Sequence, residues 1–474
     1  MQINNLTTHW FAVHYSCLNS VVSLFTNEVA MIKFTLSNDE INSNAGFSFV
    51  QRLLDSNPAM KLWDVLHPVK PNAEYSTSIV IRSQIGLMAA GECDYASIEK
   101  FRHDFLFQQL AGSAGIPSQS TLRQRLEKLS RRDWQSLADK CVASQLSGVA
   151  LTTVGFHGLN LIPVDIDVSV FEDAESHKEG TGPSYHGVTG YAPIFCYAGR
   201  EGYLVANELR PGSQHCENGA VEFVERCVGI LVKAGRKPRE LLVRVDSGHD
   251  SSDFIRKLEE LGVHYLVKRN PRSENLVQLL DTVRSCEDAE HPHAGKTVFR
   301  GFRHDRKPGA YEEDEEFRGH MVVVGVERRI APDGQRLLVP EVEVDSWWTD
   351  LPFTVRECEW LYHDHGTSEQ FHSELKSDMG VELLPSGLFS VNKLVLGLAS
   401  IAFNCLRLIG QKALVHEPKP KPSAERPLRH RLRLVLLDYI KVGCKVVRHA
   451  GETLLKFGRS CPNFTIMKGI YATC

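Results

Sequence analysis

The chain has 474 residues, of which 42% are hydrophobic and 24% charged, an ordinary composition for a globular protein. Its 54 basic and 58 acidic residues leave a net charge of −4, which by itself points to no class of partner. The charge is unevenly distributed, because residues 411–474 carry 13 Lys and Arg against 4 Asp and Glu. A basic terminal segment behind an acidic body suggests contact with a polyanion; the alternative is a solvated helix face.

The cysteines and the apolar segments exclude several classes of protein. Twelve cysteines occur without any CxxC pair, which argues against zinc ribbons and disulfide scaffolds and favours reduced thiols in a cytosol. The longest uncharged apolar stretch, Leu394 to Leu406, has 13 residues, fewer than the roughly 20 that a membrane-spanning helix needs. We therefore expect no membrane partner.

The first 30 residues differ from the rest of the chain. They contain no Lys or Arg, show no clean period, and carry no cap or turn signal that would join them to the next segment. We expect residues 1–30 to be a non-native N-terminal extension, translated from upstream sequence, with Met31 as the natural start. The alternative is a genuine short helix that docks on the body.

Residues 31–150 read as a helical domain. Apolar residues at helical spacing predict a helix from Asp94 to Leu110, and a Gly-containing connection leads to a second helix that opens near Ser118. The second helix carries basic side chains, among them Arg123, Arg125 and Lys128. Such a pair resembles a DNA-binding helix-turn-helix, although an ordinary helical hairpin has the same pattern.

From Leu151 the pattern changes to strands. Segments 160–170, 190–197, 202–209, 241–246 and 264–268 are rich in branched residues, and helical segments separate the last of them. This order predicts a mixed sheet in an α/β domain. Residues 270–358 read as a β-rich insertion, residues 359–415 as a helical return to the core, and residues 416–474 as a basic helical C-terminal region.

Three acidic residues are candidates for chemistry. Asp167 lies on the first strand of this region, Asp246 ends a second apolar strand, and Glu369 lies on a late helix. Functional groups of α/β sheets usually stand at such strand ends. Hard cations such as Mg²⁺ prefer oxygen ligands, and a pair of them can clamp the attacking and leaving oxygens of a phosphodiester.

The helix around Glu369 has an unusual polar face. Tyr362, His365, Glu369, His372 and Lys376 are spaced 3, 4, 3 and 4 residues apart. At about 100° per residue they fall within an arc of about 80°, and therefore share one face. Apolar side chains lie roughly opposite, at Phe371, Leu375 and Met379.

These motifs resemble those of a known enzyme class. The spacing Tyr362-x2-His365-x3-Glu369-x6-Lys376 resembles the Tyr-x2-Arg-x3-Glu-x6-Lys signature of bacterial insertion-sequence transposases of the DDE class. Asp246-Ser247-Gly248 and Asp167-Val168-Ser169 resemble the two aspartate motifs of that class. The chain from about Gly91 to Asn404 is most similar to the DDE transposase group 1 family.

The resemblance implies both a fold and an activity. The fold would be an RNase H-like core with the β-rich insertion before the Glu. The activity would be metal-dependent cleavage and strand transfer of double-stranded DNA at element terminal inverted repeats and target DNA, by a homodimer in the DNA complex. It also implies a bacterial cytoplasmic location at the nucleoid.

The resemblance also assigns roles to individual residues. Asp167, Asp246 and Glu369 would be catalytic and would bind two Mg²⁺ ions, with Mn²⁺ as a substitute. Tyr362, His365 and Lys376 would contact DNA, together with the basic helix. His365 departs from the signature, because a neutral imidazole cannot make the bidentate phosphate contact of a guanidinium.

Several alternatives stay open at this point. Asp165 shares a strand face with Asp167 and could also point toward the site. Trp347-Trp348 could stack on an unpaired base, although core packing is the preferred interpretation. As to function, the alternatives are an RNase H-like nuclease without strand transfer and a catalytically decayed DNA-binding protein.

Overall fold

The structure is a computed structural model that describes residues 34–174, 177–285, 289–309, 311, 316–331, 333–418 and 426–474. The proposed N-terminal extension, residues 1–30, lies outside the described residues. The chain divides into one unit of residues 1–40 and one of residues 41–474. The described helices and strands all belong to the second unit.

The N-terminal part of this unit is helical, as predicted. It begins with strand β1 (Ile41–Asn42) and continues with α1 (Phe47–Asp55), α2 (Leu62–Leu66), α3 (Thr77–Ala89), α4 (Phe105–Ala111), α5 (Gln119–Ser130) and α6 (Gln135–Leu146). The predicted basic helix is α5, which Ser118 caps by accepting a hydrogen bond from the Thr121 amide. Its apolar side is fully buried at Leu122 and Leu126.

The prediction of one helix from Asp94 to Leu110 is wrong. A 3₁₀-helix occupies Tyr95–Phe101, and α4 starts only at Phe105. The reason is local, because the Asp104 side chain accepts a hydrogen bond from the Phe107 amide and so caps a new helix. The first helix of the predicted pair is therefore shorter than expected, whereas the second, α5, begins directly after Ser118, as predicted.

The central part of the chain builds the sheet. In chain order its elements are β2 (Ile162–Val168), β3 (Phe171–Glu172), β4 (Gly182–Pro183), β5 (Thr189–Tyr191), β6 (Ile194–Ala198), β7 (Tyr203–Glu208), α7 (Ala220–Lys233), β8 (Leu241–Val245), α8 (Ser252–Leu261) and β9 (His264–Lys268). Strands β2, β8 and β9 are parallel neighbours, while β6 and β7 continue the sheet from β2 in antiparallel fashion. The mixed sheet predicted from the branched segments is thus confirmed, and β3, β5 and β4 form a small sheet of their own.

The segment predicted as an inserted module extends this same sheet. It contains α9 (Leu276–Arg284), β10 (Ala289–His293), β11 (Lys296–Arg303), β12 (His320–Ile330) and β13 (Arg336–Thr349). The end of β13 pairs with β9, with Trp347 opposite Lys268, so that the nine strands run in the order β10-β11-β12-β13-β9-β8-β2-β6-β7. These strands therefore cover the edge of β9 that would otherwise be exposed.

Helices return to cover the sheet after the insertion. They are α10 (Val355–His365), α11 (Ser368–Ser373) and α12 (Phe389–His416). By length and composition α12 could cross a membrane, but 89% of its most apolar window is buried inside the protein. The Asn404 side chain bonds both backbone groups of Leu204 on β7, at 2.9 Å each, which fixes this core helix to the sheet.

The C-terminal region is only partly helical, so the prediction for it is wrong in its middle. After α13 (Leu432–Val435) the chain forms a hairpin of β14 (Cys444–His449) and β15 (Glu452–Lys456), then ends in α14 (Phe464–Thr473). Strand β14 also pairs with β1, which gives a three-stranded sheet from the two ends of the unit. Alternating burial along β14, rather than a helical period, accounts for the difference.

Candidate active site

The strand register brings two of the candidate carboxylates together. Strands β2 and β8 are parallel, with Ile166 opposite Val245. Asp167 and Asp246 are the next residues along the chain, so they stand side by side at the carboxyl edge of the sheet. This edge is where open α/β sheets place functional groups.

Glu369 enters the same region from the helical side. The expected single helix is wrong in detail, because α10 ends at His365 and α11 begins at Ser368. The junction is tight rather than open: the Gly366 amide donates to the His363 carbonyl at 3.2 Å, as in a 3₁₀ turn. Both junction residues keep helical dihedral angles, and the polar side chains on either side of it still line one cleft.

A π-helical segment follows at Glu374–Asp378. Single π turns inside α-helices occur frequently at functional sites. This one carries Lys376 into the cleft, while Glu374 turns inward to a buried ion pair with Arg407 at 2.8 Å. The predicted apolar residues on the opposite side are fully buried, at Phe371, Leu375 and Met379.

The cleft between these elements has a volume of about 790 Å³. Its walls contain six of the sequence-predicted site residues: Asp167, Asp246, Tyr362, His365, Glu369 and Lys376. Within the part of the chain that the structure describes, no three His, Cys, Asp or Glu side chains lie close enough together to hold a metal ion as they stand. The three candidate carboxylates therefore line one cleft, but their side chains are too far apart in this structure to coordinate one ion together.

Each aspartate of the cleft has a histidine beside it. Asp246 Oδ1 accepts from the Gly248 amide at 3.1 Å and lies 2.9 Å from His249 Nδ1. Asp167 Oδ1 accepts from the Val168 amide at 2.7 Å, and its Oδ2 lies 3.4 Å from His372 Nε2. Burial acts to raise the pKa of Asp246, but His249 and the Gly248 amide outweigh it and lower that pKa, so the group is a carboxylate.

These histidines received no role from the sequence. His372 lies on the polar face of the helix that the residue spacing predicts. The spacing alone does not predict that its side chain is buried. His249 follows Asp246 by three residues, a spacing that a short turn closes into a contact.

Asp165 has a structural environment that separates it from Asp167. Its carboxylate makes a bidentate pair with Arg244, at 2.7 and 2.8 Å, on the adjacent position of β8. His365 Nδ1 lies 2.9 Å from the same carboxylate. Burial works against ionisation here, but Arg244 and His365 dominate and hold the pKa of Asp165 at about 2.

His365 is therefore turned into the protein. Its side chain is 8% exposed and faces Asp165, which leaves little surface for the phosphate contact implied by the signature. Arg244 is held from a further side by Asp364, at 3.0 Å. His365 and Asp364 end α10, so this buried cluster fixes the end of the helix to the sheet below the cleft.

Two aromatic residues and one lysine line the cleft above the carboxylates. Tyr362 packs on Trp347 with ring centres 5.5 Å apart, and burial together with Asp246 and Asp167 raises its pKa. Lys376 Nζ donates to the Val170 carbonyl at 2.6 Å and lies 3.0 Å from Glu382. Tyr185, which the sequence did not single out, stands in the turn between β4 and β5 and is largely exposed.

The charges of both aspartates affect the pKa of Tyr185. Partial desolvation of its hydroxyl, together with the charges of Asp167 and Asp246, raises the pKa of Tyr185 to about 12. Its hydroxyl donates to the Val168 carbonyl at 3.2 Å. No motif signals this residue, because it reaches the cleft through the pairing of two very short strands.

The remaining predicted DNA-binding residues lie on α5, outside the cleft walls. Arg123 and Lys128 are exposed. Arg125 is partly buried, and its Nη1 donates to the Tyr75 carbonyl at 2.7 Å. The structure therefore brings six of the nine predicted site residues together and leaves these three on a separate basic surface.

The Trp pair is core, as preferred from the sequence. Trp347 and Trp348 are 2% and 3% exposed, on opposite faces of β13. Trp348 Nε1 donates to Asp250 Oδ1 at 3.0 Å. Neither indole has the exposed face that stacking on a base would require.

Comparison with known proteins identifies the family. The family model described as transposase DDE domain group 1 matches residues 30–473, nearly the whole chain. The chain belongs to this family. The family assigned from the motifs is thereby confirmed, and the protein carries a transposase domain.

The other comparisons add little. No curated protein sequence gives a significant match. Among solved structures, the transposase domain is similar to a piggyBac transposase, determined by cryo-EM as a synaptic complex with hairpin DNA. The two are 10% identical, the match covers 78% of this chain and 77% of that one, and the TM-score is 0.38.

Proposed function

We propose that this transposase cuts and joins double-stranded DNA at the ends of an insertion sequence, with Asp167, Asp246 and Glu369 as its catalytic triad. The observation that carries the proposal is the β2–β8 register, which sets the two aspartates side by side. Glu369 lines the same cleft from the helical side. The order of the three residues along the chain agrees with the family's motifs.

We also propose that the core is RNase H-like. The strand order β7-β6-β2-β8-β9 supports this, because an antiparallel three-stranded meander is followed by two strands parallel to its first. On this proposal the core comprises residues 151–269 and 359–415, residues 270–358 are its insertion, and residues 31–150 and 416–474 are the helical DNA-binding and basic terminal regions.

The donor set of the cleft fits a hard divalent cation. All three proposed ligands are carboxylates, the oxygen donors that Mg²⁺ prefers. Asp167 and Asp246 each have one oxygen engaged by a backbone amide, which orients the carboxylate. When bound, Mg²⁺, or Mn²⁺ in its place, would activate the attacking oxygen and stabilise the leaving one.

The other cleft residues act on the DNA strand. Lys376 supplies a positive charge beside the carboxylates and would exchange its pair with Glu382 for a phosphate. Tyr362 and Tyr185 border the two aspartates and stay protonated, so each can donate a hydrogen bond to a phosphate oxygen. His365, by contrast, holds Asp165 and the end of α10 in place.

The test uses duplexes that contain the inverted repeats bracketing the gene. We expect Asp167→Asn, Asp246→Asn and Glu369→Gln each to abolish cleavage in the presence of Mg²⁺ while DNA binding persists. Asp253→Asn is a matched control, since Asp253 is exposed on α8 and lies outside the cleft. Cleavage by both Asp variants would refute the proposed site, and cleavage by Glu369→Gln alone would reject only the third ligand.

The proposal extends to a homodimer that pairs two DNA ends. The mass of the protein–DNA complex, measured by light scattering, tests this part separately. A complex in which a single protein chain holds two DNA ends and cleaves them would contradict the homodimer.

A further inference from the structure

A second polar cavity opens at the same edge of the sheet as the candidate active site. It lies beyond the end of β9, has a volume of about 480 Å³ and shares no lining residue with the cleft. One wall is the segment that starts at Arg269, directly after β9. Another is the segment after β11 that contains Arg306 and Lys307.

The charges around this cavity favour an anion. Among the residues that the structure describes, four cationic side chains line it, namely Arg269, Arg272, Arg306 and Lys307, against the two carboxylates of Asp250 and Glu274. Both oxygens of Asp250 accept hydrogen bonds from within the protein, from the Asn270 amide at 2.8 Å and from Trp348 Nε1 at 3.0 Å. Its negative charge is therefore already partly compensated.

Arg269 is the residue that most strongly indicates a ligand in this cavity. It is 7% exposed, and its Nη2 donates to Glu274, while its guanidinium lies 5.8 Å from the centre of the Trp348 ring. Its Nη1 is buried and has no hydrogen-bond partner among the residues that the structure describes. A buried charged donor without a partner is costly, and an acceptor in the cavity would remove that cost.

The N-terminus of a helix also makes the cavity favourable for an anion. Helix α8 begins at Ser252 with Ser251 as its N-cap, and both residues line the cavity. The first amides of a helix and its dipole attract negative groups such as phosphate. Here the helix start supports a site that Arg269 already indicates.

We propose that this cavity binds a backbone phosphate of the DNA strand whose neighbouring segment lies in the active site. The inference rests on the proposed function. Strands β8 and β9 are adjacent and parallel, so their carboxyl ends present Asp246 and Arg269 along one edge. A strand held at the carboxylates and extended along this edge meets the cavity next, which favours DNA over a free ion as the source of the phosphate.

Salt dependence of DNA binding tests the proposal. The full-length protein is titrated with a short random-sequence duplex between about 50 and 200 mM salt, where log affinity falls by about 0.9 per log unit of salt for each phosphate contact. We expect Arg269→Gln to make this slope shallower by about 0.9. Because Arg269 is buried, the exposed pair Arg272→Ala/Arg306→Ala is measured as well and should flatten the slope without loss of folding.

The controls separate the possible sources of a change. Arg239→Ala removes a cation just before β8, at the opposite edge of the sheet, and should leave the slope unchanged. Unchanged slopes in both cavity variants would overturn the inference. A second result would also overturn the inference. Inorganic phosphate would stabilise the wild type against heat, and Arg269→Gln would abolish this stabilisation without changing the salt slope of DNA binding. The cavity would then bind the free ion rather than DNA.

The two proposals fail in different ways. If the wild-type protein binds no DNA, the proposed function itself falls. If it binds and cleaves DNA with Asp246-dependent activity but the cavity variants match the wild type, only the second phosphate site falls.

Discussion

Asp165 and Asp167 on β2 and Asp246 directly after β8 differ in their surroundings rather than in residue type. Asp165 and Asp167 lie on the same face of β2, as residues two apart on a strand do. Asp165 meets Arg244 and His365 in the interior, whereas Asp167 and Asp246 reach the open edge. The motif with Ser169 favoured Asp167, but strand alternation alone could not separate the two, because only the position of the strand end decides which carboxylate is buried.

The buried pair makes a specific stability prediction. Replacing Asp165 by Ala leaves the Arg244 guanidinium buried with one of its carboxylates gone, and breaking such a pair typically costs about 3–5 kcal/mol. We expect a loss of that size in the free energy of unfolding, measured by urea denaturation. The comparison variant is Glu127→Ala, whose partner Arg131 is exposed and whose pair should contribute at most about 1 kcal/mol. Equal effects of the two variants would contradict the structural role of Asp165.

His365 and Lys376 should separate in their effect on DNA binding. Lys376 has a charged amine at the cleft, so Lys376→Ala should make the salt slope of binding shallower by about 0.9. His365 is buried against Asp165, so His365→Ala should leave the slope unchanged and lower stability by about 1–3 kcal/mol. A shallower slope for His365→Ala would show that the imidazole contacts phosphate, as the general signature implies for this position.

At the scale of elements, the sequence predicted strands β2 and β6 to β9 of the central sheet, because each is a short run of branched residues between turn signals. It predicted the β-rich character of residues 270–358 but not their place in the sheet, since pairing of Trp347 with Lys268 is a contact between distant segments. Helix boundaries failed where one side chain redirects the backbone, as Asp104 does. The hairpin Cys444–Lys456 was missed in a segment whose charge suggested a helix.

For the candidate site, as for the elements, the sequence predicted positions along the chain but not contacts between distant segments. The motifs located the carboxylates and the polar face around Glu369, and the interruption at Gly366 did not move those side chains out of the cleft. The motifs could not supply the contacts of each residue. Tyr185 and the pairing of His249 with Asp246 depend on turns whose geometry no spacing reveals.

Helix α5 can be tested residue by residue. Arg123 and Lys128 are exposed, so Arg123→Ala and Lys128→Ala should each lower the salt slope of DNA binding by about 0.9. Arg125 donates to the Tyr75 carbonyl, so Arg125→Ala should instead reduce stability by about 1.5–3 kcal/mol, the range for hydrogen bonds to charged groups. The exposed Arg336 on β13 provides a charge-matched control. Unchanged slopes for both exposed variants would assign α5 to packing rather than DNA contact.

For the whole molecule, the cleft and the Arg269 cavity occupy one edge of a nine-stranded sheet. The cleft is lined by α10 and α11, while the cavity includes the start of α8 and the end of β13. The β-rich insertion is the segment that adds β13 to that edge. In the proposed function, this extension of the sheet supplies a DNA contact that the rest of the sheet does not provide.

Cleavage and joining distinguish a transposase from a nuclease built on the same core. A pre-cut element end with a free 3′-hydroxyl, incubated with target plasmid and Mg²⁺, should yield covalently joined product, because a cleft that orients water for the proposed cleavage would also orient a hydroxyl. Asp246→Asn and treatment with a chelator should each abolish joining but leave DNA binding intact, since in the proposed mechanism the carboxylates hold the ions and not the duplex. Cleavage without any joined product would favour the nuclease alternative. Binding with neither reaction, at intact folding and in the presence of Mg²⁺ or Mn²⁺, would identify a decayed enzyme that retains only its DNA-binding surface.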